Sequence, residues 1–126
     1  MGLLSGLLGN ASEVDVEKLE KEFVRILVTG EQIQQAFKVI RDLFVFTEKR
    51  LILVDRQGVT GKKVTYHSIP YRSISQFAVE TAGNFDTDSE LKIWISSNEN
   101  PTIVKEFKRG ADIAGIQKAL AEYILN

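Results

Sequence analysis

The residues with the clearest chemical potential lie in RLILVDRQGVTGKK, residues 50–63, where an apolar run meets two glycines and two lysines. A phosphate-cradling P-loop needs two glycines separated by four residues, then Lys and Ser/Thr, then a helix whose N-terminus faces the phosphate. Here Gly58 and Gly61 are separated by two residues, and Lys63 stands where a magnesium-binding hydroxyl is required. The segment that follows, VTYHSI, is strand-like, so no helix dipole is on offer. The stretch reads as a hairpin loop whose glycines supply positive φ.

A second candidate is the acidic run ETAGNFDTDSE. Asp86, Asp88 and Glu90 alternate as at the start of an EF-hand loop, but Leu91 replaces the required glycine and Ser97 the closing glutamate. A solvated loop is expected there rather than a calcium site. His67 is the single histidine and alternates with Tyr66 in VTYHSI, so one of the two is expected to face solvent. No motif pairs it with a nucleophile or a carboxylate. The chain has no cysteine, which removes thiolate metal sites, disulfides and a cysteine nucleophile. No catalytic residue, metal site or cofactor is expected, and the reading is of a non-enzymatic protein.

Two kinds of surface could bind something. One is basic: between Glu48 and Lys63 there are five cations (Lys49, Arg50, Arg56, Lys62, Lys63) against two anions, Glu48 and Asp55. They sit at opposite ends of a hairpin and need not form one patch, but they are the candidate contacts for an anionic head group or an acidic partner. The other is apolar. In MGLLSGLLGN, Leu3, Leu4, Leu7 and Leu8 recur at helical spacing, a stripe too short to be stable alone. It must dock on this domain, another subunit or a membrane surface. A Met-Gly start raises myristoylation, but Gly6 occupies the position where Ser or Thr is wanted, so lipidation is not expected.

The elements that would carry these residues follow from periodicity. Ser12 and Asp15 fit a helix start, and Val16, Leu19, Phe23 and Ile26 then recur every three to four residues, predicting a helix over 12–27 that ends at Thr29-Gly30. From 31 to 109 the pattern is of strands, at 32–40, 43–48, 50–56, 63–69, 73–81, 90–97 and 102–108. Short connections make sequence neighbours antiparallel neighbours. Residues 111–125 are helical, with a cap at Ala111-Asp112 and Ile113, Ile116, Leu120 and Ile124 along one face. Helix, seven strands, helix is a mainly β pattern, an antiparallel meander curled into a small barrel with the last helix over an open end. Trp94, flanked by Ile93 and Ile95, is expected in the core rather than on a stacking platform.

The 126 residues make one domain: a helical extension at 1–28, barrel strands at 31–109 and a capping helix at 111–125. A net charge of −1 gives no pull toward nucleic acid, and the strand aromatics are not interleaved with basic residues as in RNA-binding sheets. No signal peptide and no spanning run is visible, and the composition suits the cytoplasm.

The stretch RDLFVFTEKRLILVDRQGVTGKKVTYHSIPYRSISQFAVETAG, continuing into LKIWIS, resembles the bacterial pleckstrin-homology (PH) domain family, with FTEKRLILVD and IPYRSI as the most specific parts. The resemblance runs through nearly the whole chain. It implies a seven-stranded, sharply bent antiparallel barrel closed at one end by the C-terminal helix. Eukaryotic relatives bind phosphoinositides through basic residues near the first two strands. Here FKVIRDLFVFTEKR has Lys38 and Arg41, but Leu43 where a further Arg belongs, so no ligand residues are carried over. Bacterial members are thought of as oligomer-forming domains.

Two functions are therefore expected to compete. One is a self-associating cytoplasmic interaction domain, a homo-oligomer or ring assembled through the leucine stripe. The other is a peripheral membrane domain that touches anionic lipid. An interfacial anchor carries Lys or Arg beside its apolar residues. Residues 2–11 have none, and Glu13 to Arg25 holds five acids against three bases, which favours assembly.

Overall fold

In the computed structural model, residues 16–39, 42–57 and 62–125 are described. The short helix α1 (Val16–Glu22) precedes β1 (Ile33–Val39), β2 (Asp42–Thr47), β3 (Arg50–Gln57) and β4 (Lys63–Pro70). A single 3-10 turn, Tyr71–Ser73, leads to β5 (Ile74–Thr81), β6 (Ser89–Ile95), β7 (Ile103–Phe107) and the helix α2 (Ile113–Ile124). All seven expected strands are present within two residues of their expected bounds. They form two antiparallel sheets, β1-β2-β3-β4 and β5-β6-β7. The barrel is bent and not closed by hydrogen bonds: the chain turns the corner between the sheets at the 3-10 turn.

The main core lies between the sheets and under α2. Phe37, Phe44, Phe46, Leu51 and Leu53 of the first sheet meet Leu91, Ile93, Ile103 and Phe107 of the second. From α2 come Ile113, Ile116, Ala119 and Leu120, all buried. The expected cap forms, with the Asp112 carboxylate accepting from the Gly115 amide at 3.0 Å. A Cβ at position 115 would collide with that carboxylate and displace the cap. At its far end α2 is held by rings. Tyr123 stacks on Tyr71 at 5.1 Å and on Phe46 at 5.6 Å, worth about 0.5–1.5 kcal/mol per pair beyond area burial.

A second core lies on the outer face of the first sheet. Leu19 and Phe23 cover Ile33, Ala36, Leu43, Val45, Ile52 and Val54. β2 and β3 are thus buried on both faces, which is why LFVF and LILV read as continuous apolar runs rather than alternating ones.

Two expectations need correction. The N-terminal helix was expected over 12–27; its part before Val16 lies outside the described residues, and its regular part ends at Glu22. Beyond Glu22 the chain tightens, with the Ile26 and Leu27 amides both donating to Phe23 O at 2.8 and 2.9 Å. It then reverses in a turn at Val28–Glu31, where Gly30 has φ +86° as a type II turn demands at its third position. Trp94 is also not in the core. It points away from the sheet interface, half-buried, and its Nε1 donates to Glu99 O at 3.2 Å. Strand alternation decides this: Leu91 and Ile93 take the inner face, so Trp94 must take the outer one.

Candidate interaction site

The tip of the β2–β3 hairpin is held by one polar network. Its carboxylate is Glu31, whose side chain is 1% exposed. Arg50 grips it with two parallel bonds, Nε to Oε2 and Nη2 to Oε1, each 2.9 Å. Thr47 Oγ1 donates to Oε2 at 2.7 Å and the Val28 amide to Oε1 at 3.0 Å. Burial by itself pushes the Glu31 carboxyl up, but the bonds from Arg50, Val28 and Thr47 outweigh it and hold the pKa at about 2. Arg50 Nη2 also donates to Ile26 O at 2.6 Å, and Nη1 to Ser68 Oγ at 2.9 Å. The Tyr71 hydroxyl, its pKa pushed up by burial and by neighbouring Tyr123, lies 2.6 Å from Thr47 O and 2.8 Å from Arg50 O.

The network explains both signature stretches. In FTEKRLILVD, Thr47 and Arg50 lock the N-terminal extension to the hairpin. In IPYRSI, Tyr71 ties the sheet corner to the same tip. Arg50, expected as an anion contact, gives its guanidinium to Glu31, Ile26 and Ser68.

The remaining basic residues are divided by the strand between them. Lys49 is exposed on the tip turn, while Arg56, Lys62 and Lys63 lie at the other end of β3 and β4. Seven residue steps along the strand separate Lys49 from Arg56, about 23 Å, so they do not form a single patch. At that far end Lys38 of β1 is also exposed. Lys105 of β7 reaches over the first sheet to Asp42 at 3.2 Å and Asp55 at 3.6 Å. Clefts of about 250 and 240 Å³ open on either side of it.

The pairing of Gln57 with Lys63 makes the glycine-rich segment a β3–β4 connection, and Lys63 opens a strand rather than a helix. Residues 58–61 lie outside the described residues. Changing Lys62 and Lys63 together to Ala should alter stability by no more than about 0.5 kcal/mol, and calorimetry should detect no ATP or GTP binding before or after. Nucleotide binding that vanishes in the double variant would overturn the hairpin reading.

The acidic run makes local contacts. Asp88 Oδ1 accepts from the Arg109 amide at 2.8 Å, the Asp86 amide donates to Asn84 Oδ1 at 2.7 Å, and Glu90 lies 3.8 Å from Lys92. Among the described residues no group of three or more His, Asp or Glu could hold a metal. One of His67 and Tyr66 was expected to face solvent; both are exposed, on the edge strand β4. Tyr66 still meets Phe23 edge-on at 5.8 Å.

Leu3, Leu4, Leu7 and Leu8 lie outside the described residues. The surface beside α1 carries apolar residues that the sequence reading passed over: Val24 is 72% exposed and Val28 54%. Their four-residue spacing, one step out of phase with Phe23 and Leu27, was the available signal. No described helix is long and apolar enough to cross a membrane.

Comparison with known proteins agrees with this architecture. The family model described as "Bacterial PH domain" matches residues 2–124. The protein YjqA of Bacillus subtilis (strain 168) is 59% identical over 121 residues, covering 96% of this chain and 97% of the relative. YozO of the same organism is 33% identical over 119 residues, covering 94% and 97%. Among solved structures, a pleckstrin homology domain from Shewanella amazonensis SB2B superposes with a TM-score of 0.84 at 62% identity, covering 98% of each chain. A DUF1696 protein with a PH domain from Shewanella loihica PV-4 gives 0.73 at 56% identity, covering 88% of this chain and 94% of that one. The two-sheet meander, its helical cap and these matches along nearly the whole length make the chain a member of the bacterial PH domain family.

Proposed function

We propose that this protein is a non-enzymatic, cytoplasmic interaction domain that assembles with copies of itself. The observation that carries the reading is the apolar surface beside α1. Val24 and Val28 stand in solvent on the segment that follows α1, and the same N-terminal region carries four leucines without one charged residue in 2–11. Exposed apolar surface of this kind marks a contact site. The charge of α1 points away from anionic lipid, with Glu17, Glu20 and Glu22 against Lys18 and Lys21.

Deleting residues 1–11, or changing Leu4 and Leu7 to Ser, should lower the assembly mass measured by light scattering while the denaturation midpoint of the fold is kept. A second reading takes the leucine stripe as an interfacial anchor and the basic hairpin-loop residues, the exposed Lys62 and Lys63 among them, as contacts for anionic head groups. It predicts a monomer that floats with anionic vesicles and loses flotation on the same deletion. That pair of results would replace the assembly reading.

A further inference from the structure

β7 is an edge strand of the second sheet. Its five residues pair on one side with β6, and no backbone ladder joins it to the first sheet. Alternation turns Ile103, Lys105 and Phe107 to the same side, and the two apolar residues are buried in the main core. Lys105 therefore stands at a core position. Asp42 does so on β2, in phase with Phe44 and Phe46, and Asp55 on β3, in phase with Leu51 and Leu53. Three strands that otherwise send apolar side chains inward each send a charge to one place. There Lys105 Nζ lies 3.2 Å from Asp42 Oδ2 and 3.6 Å from Asp55 Oδ2.

We propose that Lys105 is an ionic clasp on a mouth of the barrel. Breaking its two ion pairs lets β7 part from the first sheet and opens the main core at that end, while the end under α2 stays closed. The device is independent of self-association.

Position supports it. Asp42 begins β2, and Phe46, on which Tyr123 of α2 stacks, lies near the other end of that strand. The clasp and the capping helix thus hold opposite ends. The clefts beside Lys105 agree. One reaches Leu53 and Ile103, the other Val39 and Phe44, all residues of the main core. Asp55 and Lys105 belong to both clefts, so the clasp is part of the wall between them. Its strength is of a kind that can be released. The side chains of Lys105, Asp42 and Asp55 are 24%, 23% and 37% exposed, and ion pairs within reach of water are weak and screened by salt. Apolar residues at the same three positions would make a seal that salt does not loosen. The two aspartates also share one cation, so they repel each other once it leaves.

The chain has no cysteine, so a single introduced thiol reports on opening. Leu53→Cys in the full chain places one beneath the clasp, at a position 4% exposed, and its rate of alkylation by iodoacetamide follows the mouth. Ile116→Cys, buried under α2, follows global unfolding. Added sodium chloride should speed alkylation at 53 and leave 116 unchanged. Lys105→Glu sets a third carboxylate against the two aspartates and should speed alkylation at 53 at least about tenfold through local opening. Salt should then slow the reaction at 53, because it screens repulsion instead of attraction. Lys105→Glu with Asp55→Lys should restore the slow rate.

A rate at 53 that responds neither to salt nor to Lys105→Glu would overturn the proposal. Equal acceleration at 53 and 116 would also overturn it, since the charges would then hold the whole fold and not a mouth. If Lys105→Glu does not fold, the salt series on the two single-cysteine proteins decides between the same outcomes.

Discussion

Replacing Arg50 with alanine is expected to destabilise the fold by about 3–5 kcal/mol, because it leaves the Glu31 carboxylate, 1% exposed, without its cation. The two parallel bonds at 2.9 Å need a planar fork, so Arg50→Lys should recover only part of the loss. Chemical denaturation measures both variants. If Arg50→Ala unfolds at the wild-type midpoint, the network does not hold the extension to the hairpin.

The same pair sets an acid limb. Glu31 has a folded pKa of about 2 against its ordinary 4.5. A lowered carboxylate pKa means that the folded state favours the ionised form. Its contribution is complete above pH 4.5 and is lost as the pH falls toward 2. The difference between those values amounts to about 3 kcal/mol. Stability measured over that window should therefore fall more steeply in the wild type than in Glu31→Gln, where the titrating group is gone. Parallel curves would show that the network contributes nothing specific to acid resistance.

Leu120→Ala is the second large effect, at about 2–5 kcal/mol. Leu120 is fully buried where α2 meets both sheets, together with Ile113 and Ile116. Truncation leaves a cavity that the helix cannot easily close, since one end is fixed by the Asp112 cap and the other by the Tyr71–Tyr123–Phe46 stack. Calorimetric or denaturant melting measures the loss, and an unchanged midpoint would mean that α2 does not cap the core. Lys118→Ala, at an exposed position of the same helix, serves as the surface control, with an expected change within about 0.5 kcal/mol.

The sequence by itself determined the order of elements. Alternation in LKIWIS and IVKEFK, the helical stripe from Ile113 to Leu120 and the short turns between strands are local properties, and they placed seven strands and the capping helix within two residues. The P-loop mismatch is local too: the spacing of Gly58 and Gly61, Lys63 in place of a hydroxyl and the strand-like VTYHSI are all properties of neighbouring residues. Tertiary structure decided what depends on which face meets which neighbour. Trp94 sits between two isoleucines in the chain, yet pleating turns it outward. Arg50 has the same charge as Lys49, yet Glu31, nineteen residues away, claims it. The continuous runs LFVF and LILV announced burial without saying that α1 supplies the second cover. Val24 and Val28 have the composition of core residues, and only packing leaves them in solvent. Apolar character is written residue by residue, but burial is a property of pairs of surfaces, and those exist only once the chain has folded.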